Sequence, residues 1–208
     1  MRRVAFLLLF ISFNSNAQKL FKLGLKEGGT ISQVSADTYS GFDKFGFVGG
    51  SYIKFKVKKD WTAGFEILYT QKGSRHNSNY AKGDFQSYFL QLNYVEVPLL
   101  FQYNLEGANF EFGPSFGFLV KTKEIVTIGG TEYYGTRPFK KNEFNINIGA
   151  NYTFSSHFGF NLRYTNSVVT IRKDPARATN KWYQGAQLNT VLSLSLTYEF
   201  GGNGSVWK

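Results

Sequence analysis

A chain of 208 residues with 22 glycines, 22 phenylalanines, 13 tyrosines and only 4 prolines suits one domain made of strands and turns. It has no cysteine, which excludes a disulfide framework, a lipidated N-terminal cysteine and thiolate metal sites. The formal charge of +10 comes with no nucleic-acid-binding motif, so the expected anionic contacts are lipid headgroups and surface polymers, with no nucleic acid partner.

Residues 1–17 have the layout of a secretory signal peptide: Arg2 and Arg3, an apolar stretch "VAFLLLFISF", and "NSNA" ending in a small residue. The apolar run, about ten residues, is short of the roughly 20 that a spanning helix needs. The mature chain is therefore expected to start at Gln18, with the charge reduced to +8. Expected domain limits are 1–17 for the signal peptide, 18–200 for the folded domain and 201–208 for a tail.

Eight segments then alternate apolar with polar residues, the period of a strand with two unlike faces. The first carries Leu23 and Leu25. The second aligns Phe45, Phe47, Ile53, Phe55 and Val57, and a tight "KKD" joins it to the third, with Trp61, Ala63, Phe65, Ile67 and Tyr69. In the fourth, Tyr88, Leu90, Leu92 and Tyr94 are even whereas Val95, Val97, Leu99, Phe101 and Tyr103 are odd, so a β-bulge near Asn93 to Glu96 is expected to absorb a slip. The fifth aligns Phe110, Phe112, Phe116, Phe118 and Val120. The sixth, "EFNINIGANYTF", alternates without exception from Phe144 to Phe154. The seventh aligns Phe158, Phe160, Leu162 and Tyr164, and the eighth runs from Leu188 to Phe200. Connections after strands two, four and six are short. Those near 31–44, 74–86, 125–141 and 168–185 are long and polar, the asymmetry of outer-membrane barrels.

The expected fold is an all-β, eight-stranded antiparallel up-and-down transmembrane barrel. A lipocalin-like barrel with the apolar face inside fails on volume, because an eight-stranded interior cannot hold so many large side chains. A soluble β-sandwich is the other alternative, with each apolar face turned to the opposite sheet. Turned outward, the apolar face meets lipid while closure satisfies the backbone, and aromatic residues near both strand ends would make two girdles. The expected location is the outer membrane, as a monomer in contact with outer-membrane lipid.

Three phrases carry a family resemblance: "GLKEGGTIS", "EILYTQKG", and "YVEVPLLFQYNL" followed by "FEFGPSFGFL". Together they resemble the PorT-like family of small outer-membrane β-barrels of Gram-negative bacteria. The resemblance implies fold and location, and for the name-giving member a tie to type IX secretion. Barrels of this kind commonly end on an aromatic residue, whereas Phe200 is followed by eight more residues here.

The inward parity carries Glu66, Glu96, Glu111, Arg163 and Glu199 with Lys22, Lys26, Lys54 and Lys56, and charges at membrane depth need partners or water. Arg163 is expected to pair with Glu66, which lies at equal height, with Glu96 next in line. Lys54 is expected diagonal to Glu66 across the second hairpin. Arg172, Lys173, Arg177, Lys181 and Trp182 form a basic and aromatic loop that could contact an anionic polymer or an envelope protein. His76 and His157 fall on opposite sides of the membrane, so neither a catalytic site nor a metal site is expected, and no cofactor. The reading is a non-enzymatic structural or partner-binding barrel. The alternatives are a small-solute channel and, third, a barrel enzyme acting on lipids.

Overall fold

The computed structural model describes residues 21–35, 41–135, 137–173 and 186–200. The signal peptide and the tail after Phe200 lie outside the described residues. In chain order the strands are β1 (Phe21–Val34), β2 (Lys44–Lys58), β3 (Trp61–His76), β4 (Gln86–Leu105), β5 (Ala108–Ile128), β6 (Thr131–Tyr134), β7 (Asn142–Thr153), β8 (Phe158–Ser167), β9 (Arg172–Lys173), β10 (Ala186–Gln187) and β11 (Asn189–Glu199). All but β6, β9 and β10 form one antiparallel ring in the order β4-β3-β2-β1-β11-β8-β7-β5, which the β4–β5 pairing closes. Closure leaves no edge and pairs the backbone within the ring, the condition for crossing lipid with strands.

Side-chain alternation gives the ring two unlike faces. Outward lie Leu23, Phe55, Phe65, Phe101, Phe112, Ile148, Phe160 and Leu194, all exposed. Inward lie buried Lys26, Glu66, Lys72, Glu96, Glu111, Glu143, Arg163 and many Asn, Ser and Thr. Trp61 and Tyr103 touch beside the short turns with ring centroids 5.1 Å apart, and Phe154, Phe158, Tyr198 and Phe200 cluster at the same end. An exposed apolar belt above an aromatic girdle is the surface a bilayer solvates.

The expected slip in β4 does not occur. Even residues face inward from Tyr88 to Gln102, and the bulge that is present falls on β5, where Asn93 pairs with Lys121 and Tyr94 with Leu119, leaving Val120 as the extra residue. What changes near Tyr94 is the solvent. Above that level the outer face carries Arg75, Gln91, Lys121 and Lys123, and the inner face turns apolar: Val34, Tyr88, Leu90, Leu92, Tyr94, Phe139 and Ile171 pack into one buried cluster. Below it, lipid is outside and the polar residues are inside. Strand geometry stays the same while the chemistry of the two faces exchanges, because the barrel rises out of the membrane.

Two further boundaries differ from expectation. β1 runs to Val34 through "EGGTIS", with Gly28 packed so tightly on β11 that a Cβ there would lie 2.1 Å from the Leu194 carbonyl oxygen. The segment 125–141 is not one loop: β5 continues to Ile128 and turns at Gly129 and Gly130, both at positive φ (56° and 86°), into β6. Two successive left-handed residues make the tight hairpin that matches strand twist.

The two prolines of the family-like phrases interrupt the ladders. Between β3 and β4 the pairing skips from Phe65–Leu99 to Leu68–Glu96, and between β4 and β5 from Pro98–Ser115 to Phe101–Phe112. A proline has no N–H to donate, so each gap falls where the missing donor would be.

Candidate functional site

Arg163 is the centre of the lower lumen. It sits on β8 opposite Gly149 of β7, where a Cβ would stand 2.7 Å from the Glu111 carboxylate, so only glycine leaves room for the group beside it. The guanidinium grips Glu66 with both outer nitrogens, at 2.6 and 3.0 Å, and donates from Nε to Glu111 at 2.7 Å. Lys26 Nζ reaches the same Glu66 carboxylate at 2.9 Å. Glu111 also accepts from Gln102 (3.1 Å), Asn151 (2.8 Å) and Asn161 (2.9 Å). Two cations and two carboxylates thus balance, and the remaining oxygen lone pairs are largely used. That is the arrangement in which a buried ion pair repays its desolvation.

A second group lies higher. Lys72, fully buried, pairs with Glu96 and lies 2.8 Å from Glu143. Glu96 accepts from Thr70 (2.9 Å) and Asn145 (3.2 Å), and Glu143 from Asn189 (2.7 Å). Between the two groups a cavity of about 10 Å³ touches Lys26, Thr70, Lys72, Glu96, Asn161 and Arg163. That is room for about one water molecule. The apolar cluster closes the lumen above.

At the mouth, Arg172 of β9 pairs with Glu124 of β5 through two bonds of 2.8 Å and lies 4.0 Å above the Phe139 ring. Tyr88 donates to the same carboxylate at 2.8 Å. Half-burial opposes ionisation of Glu124, but the hydrogen bonds from Arg172 and Tyr88 outweigh it and hold the carboxyl below its ordinary value.

The structure therefore puts Arg163 on Glu66, as the heights of the two residues suggest, and also on Glu111. Glu96 is not a partner of Arg163; Lys72 takes it. Lys54 is beside Gly64 as expected, yet Glu66 is filled by Lys26 and Arg163, and Lys54 Nζ lies 4.7 Å above the Tyr52 ring. Glu199 pairs with Lys22 at 2.6 Å near the rim that carries the short turns. Of the basic loop, Arg172 is engaged with Glu124, Lys173 pairs with Ala186 in the β9–β10 ribbon, and Arg177, Lys181 and Trp182 lie outside the described residues. His76 bonds Asp84 at 2.7 Å and His157 bonds Ser156 at 2.9 Å, at opposite ends of the barrel. Lys72 and Glu143 are outside the expected set, although each carries the inward parity of its strand. Running that parity past the apolar residues at the strand ends finds both, Glu143 just before Phe144 and Lys72 at the second inward position after Tyr69.

The model of the family described as outer membrane protein beta-barrel domain matches residues 13–171. Among solved structures, Neisserial surface protein A (NspA) is similar with a TM-score of 0.54 at 11% identity, over 86% of this chain and 97% of that one. Ail, the attachment invasion locus protein of Yersinia pestis, is similar with a TM-score of 0.50 at 14% identity, over 86% and 98%. No curated protein matches. Identities this low speak for the fold alone.

Proposed function

Because the chain belongs to the outer membrane protein beta-barrel domain family and resides in the outer membrane, we propose that it is a non-enzymatic, non-conducting barrel that serves as a scaffold for its outer lobe and for a partner in the envelope. One observation carries this reading: the lumen is occupied along its length, by the Arg163 group, the Lys72 group and the apolar cluster above them. Eight-stranded barrels have an interior that side chains just fill, and aqueous pores are found with more strands. A filled lumen leaves the loops and the outer wall as working surfaces. The phrases shared with PorT-like barrels support membership of that narrower group, and the leader-like residues 1–17 support export with removal of the signal peptide.

Planar-bilayer recording tests the proposal. The folded full-length mature protein is expected to give no steady channels, and large, steady conductance would replace this reading with the small-solute channel.

A further inference from the structure

Glu27 stands on the wrong face for a charge. The outward residues of β1 run Phe21, Leu23, Leu25, Glu27, Gly29, Ile31 and Gln33, so the carboxylate is halfway along the lipid-facing row and exposed. Beside it are Leu196 on β11 and Gly49 on β2, and diagonally Leu194, Tyr198, Phe47 and Ser51. Glu27 makes no hydrogen bond or ion pair with the described residues. Between the girdle at the short turns and the level of Tyr94 no other Asp, Glu, Lys or Arg faces outward among the described residues. An ionisable side chain at that depth is costly unless it is paired or wet, and lipid tails offer neither.

The surface around it is recessed. Gly29 and Ser51, both exposed, lie diagonal to or in line with the carboxylate, and a Cβ placed on Gly29 would meet nothing closer than 3.9 Å. Phe47 folds its ring over Gly49, 2.7 Å from where a Cβ would be, and makes one wall. Small residues that allow close approach, around a polar group that needs a partner, are the two ingredients of association inside a membrane.

We propose that the β11–β1–β2 face is a docking surface, within the membrane plane, for a different membrane-spanning protein that presents a lysine or arginine at mid-depth to Glu27. Charge complementarity selects this occupant. A lipid headgroup does not reach the middle of the belt, and a second copy of this chain offers no outward cation there among the described residues. The inference deepens the partner-docking reading and rests on it, but not on the closed lumen, which conductance decides separately.

The test begins in vesicles of phosphatidylcholine, with the mature chain labelled by a fluorophore on a cysteine replacing Glu106 in a short turn, away from the docking face. It is titrated with a leucine-rich transmembrane peptide bearing one central lysine and, separately, with the same peptide bearing leucine there. Energy transfer is expected at several-fold lower peptide density for the lysine peptide, and E27L should erase the difference while keeping the gel shift of the folded barrel. Equal transfer for both peptides, or a preference that survives E27L, would overturn the proposal. In cells, a photoreactive residue replacing Gly29 should give one heterologous adduct that E27D keeps and E27L loses, with a lysine or arginine in the crosslinked span of the partner. An adduct of two copies of this chain, or no adduct, would also overturn it.

Discussion

At the scale of single residues, charge balance makes the lower lumen a discriminating place to intervene. Arg163→Ala leaves Glu66 with Lys26 but removes the only cation bonded to Glu111 among the described residues. Breaking a buried pair from one side costs roughly 3 to 5 kcal/mol. Denaturant unfolding of the folded barrel should show that loss. Adding Glu111→Gln should recover more of it than adding Glu66→Gln, because the first keeps the Lys26–Glu66 pair and restores neutrality while the second strands Lys26. Equal recovery from both would mean that the lumen does not discriminate between its carboxylates. The Arg163–Glu66 pairing was legible from sequence, since strand parity and distance from the short turns fix face and height. Which lysine completes the group was not, because Lys26 and Lys54 come from different strands and their reach across the lumen depends on barrel curvature.

At the scale of elements, β4 shows where periodicity misleads. Tyr88 to Tyr94 and Val95 to Tyr103 are two apolar rows of opposite parity, and a uniform solvent would require a bulge between them. The solvent is not uniform, so both rows are buried from water on opposite faces of one regular strand. The β5–β6 hairpin was hidden for a different reason, since "IGGTEY" sits among polar residues that resemble a loop. Its tie to the ribbon of β9 and β10 is the Glu124–Arg172 pair, and that tie should depend on acidity. Glu124 has a lowered folded-state pKa, so its contribution is present above the ordinary glutamate value of about 4.3 and is lost as pH falls through the lower folded value. Tryptic cleavage after Arg172 reads the same contact at neutral pH: Glu124→Gln should accelerate it. Unchanged cleavage would show that the hairpin holds the ribbon by packing alone.

For the whole molecule, the even strand count and the three tight turns at one end put the long connections together at the other, the end expected to face outside the cell. A cysteine at Asn79 or at Thr131 should react with an impermeant reagent on intact cells, and one at Asn104 should not; the opposite pattern would invert the topology. The closed ladder should also keep the protein folded in detergent until it is boiled, seen as a change of mobility on a gel. The fold was readable because lipid imposes one strict alternation on every strand. Lumen contents and partner surfaces were less so, since alternation assigns a face without saying what lies across it.

The exchange of inner and outer chemistry above Tyr94 divides the molecule into two parts with different responses to solvent. Strands inside lipid cannot open one at a time, since each would bare its amides to hydrocarbon, whereas the outer lobe has water on its far side and a small apolar core within. Hydrogen exchange should then be biphasic: amides of the outer ends of β4 and β5 exchange by local opening, while those lower on the same strands wait for the whole barrel. Cooling weakens apolar cohesion, and so do modest amounts of urea. The surface that the cell presents outward could therefore loosen and re-form while the wall beneath it stays intact.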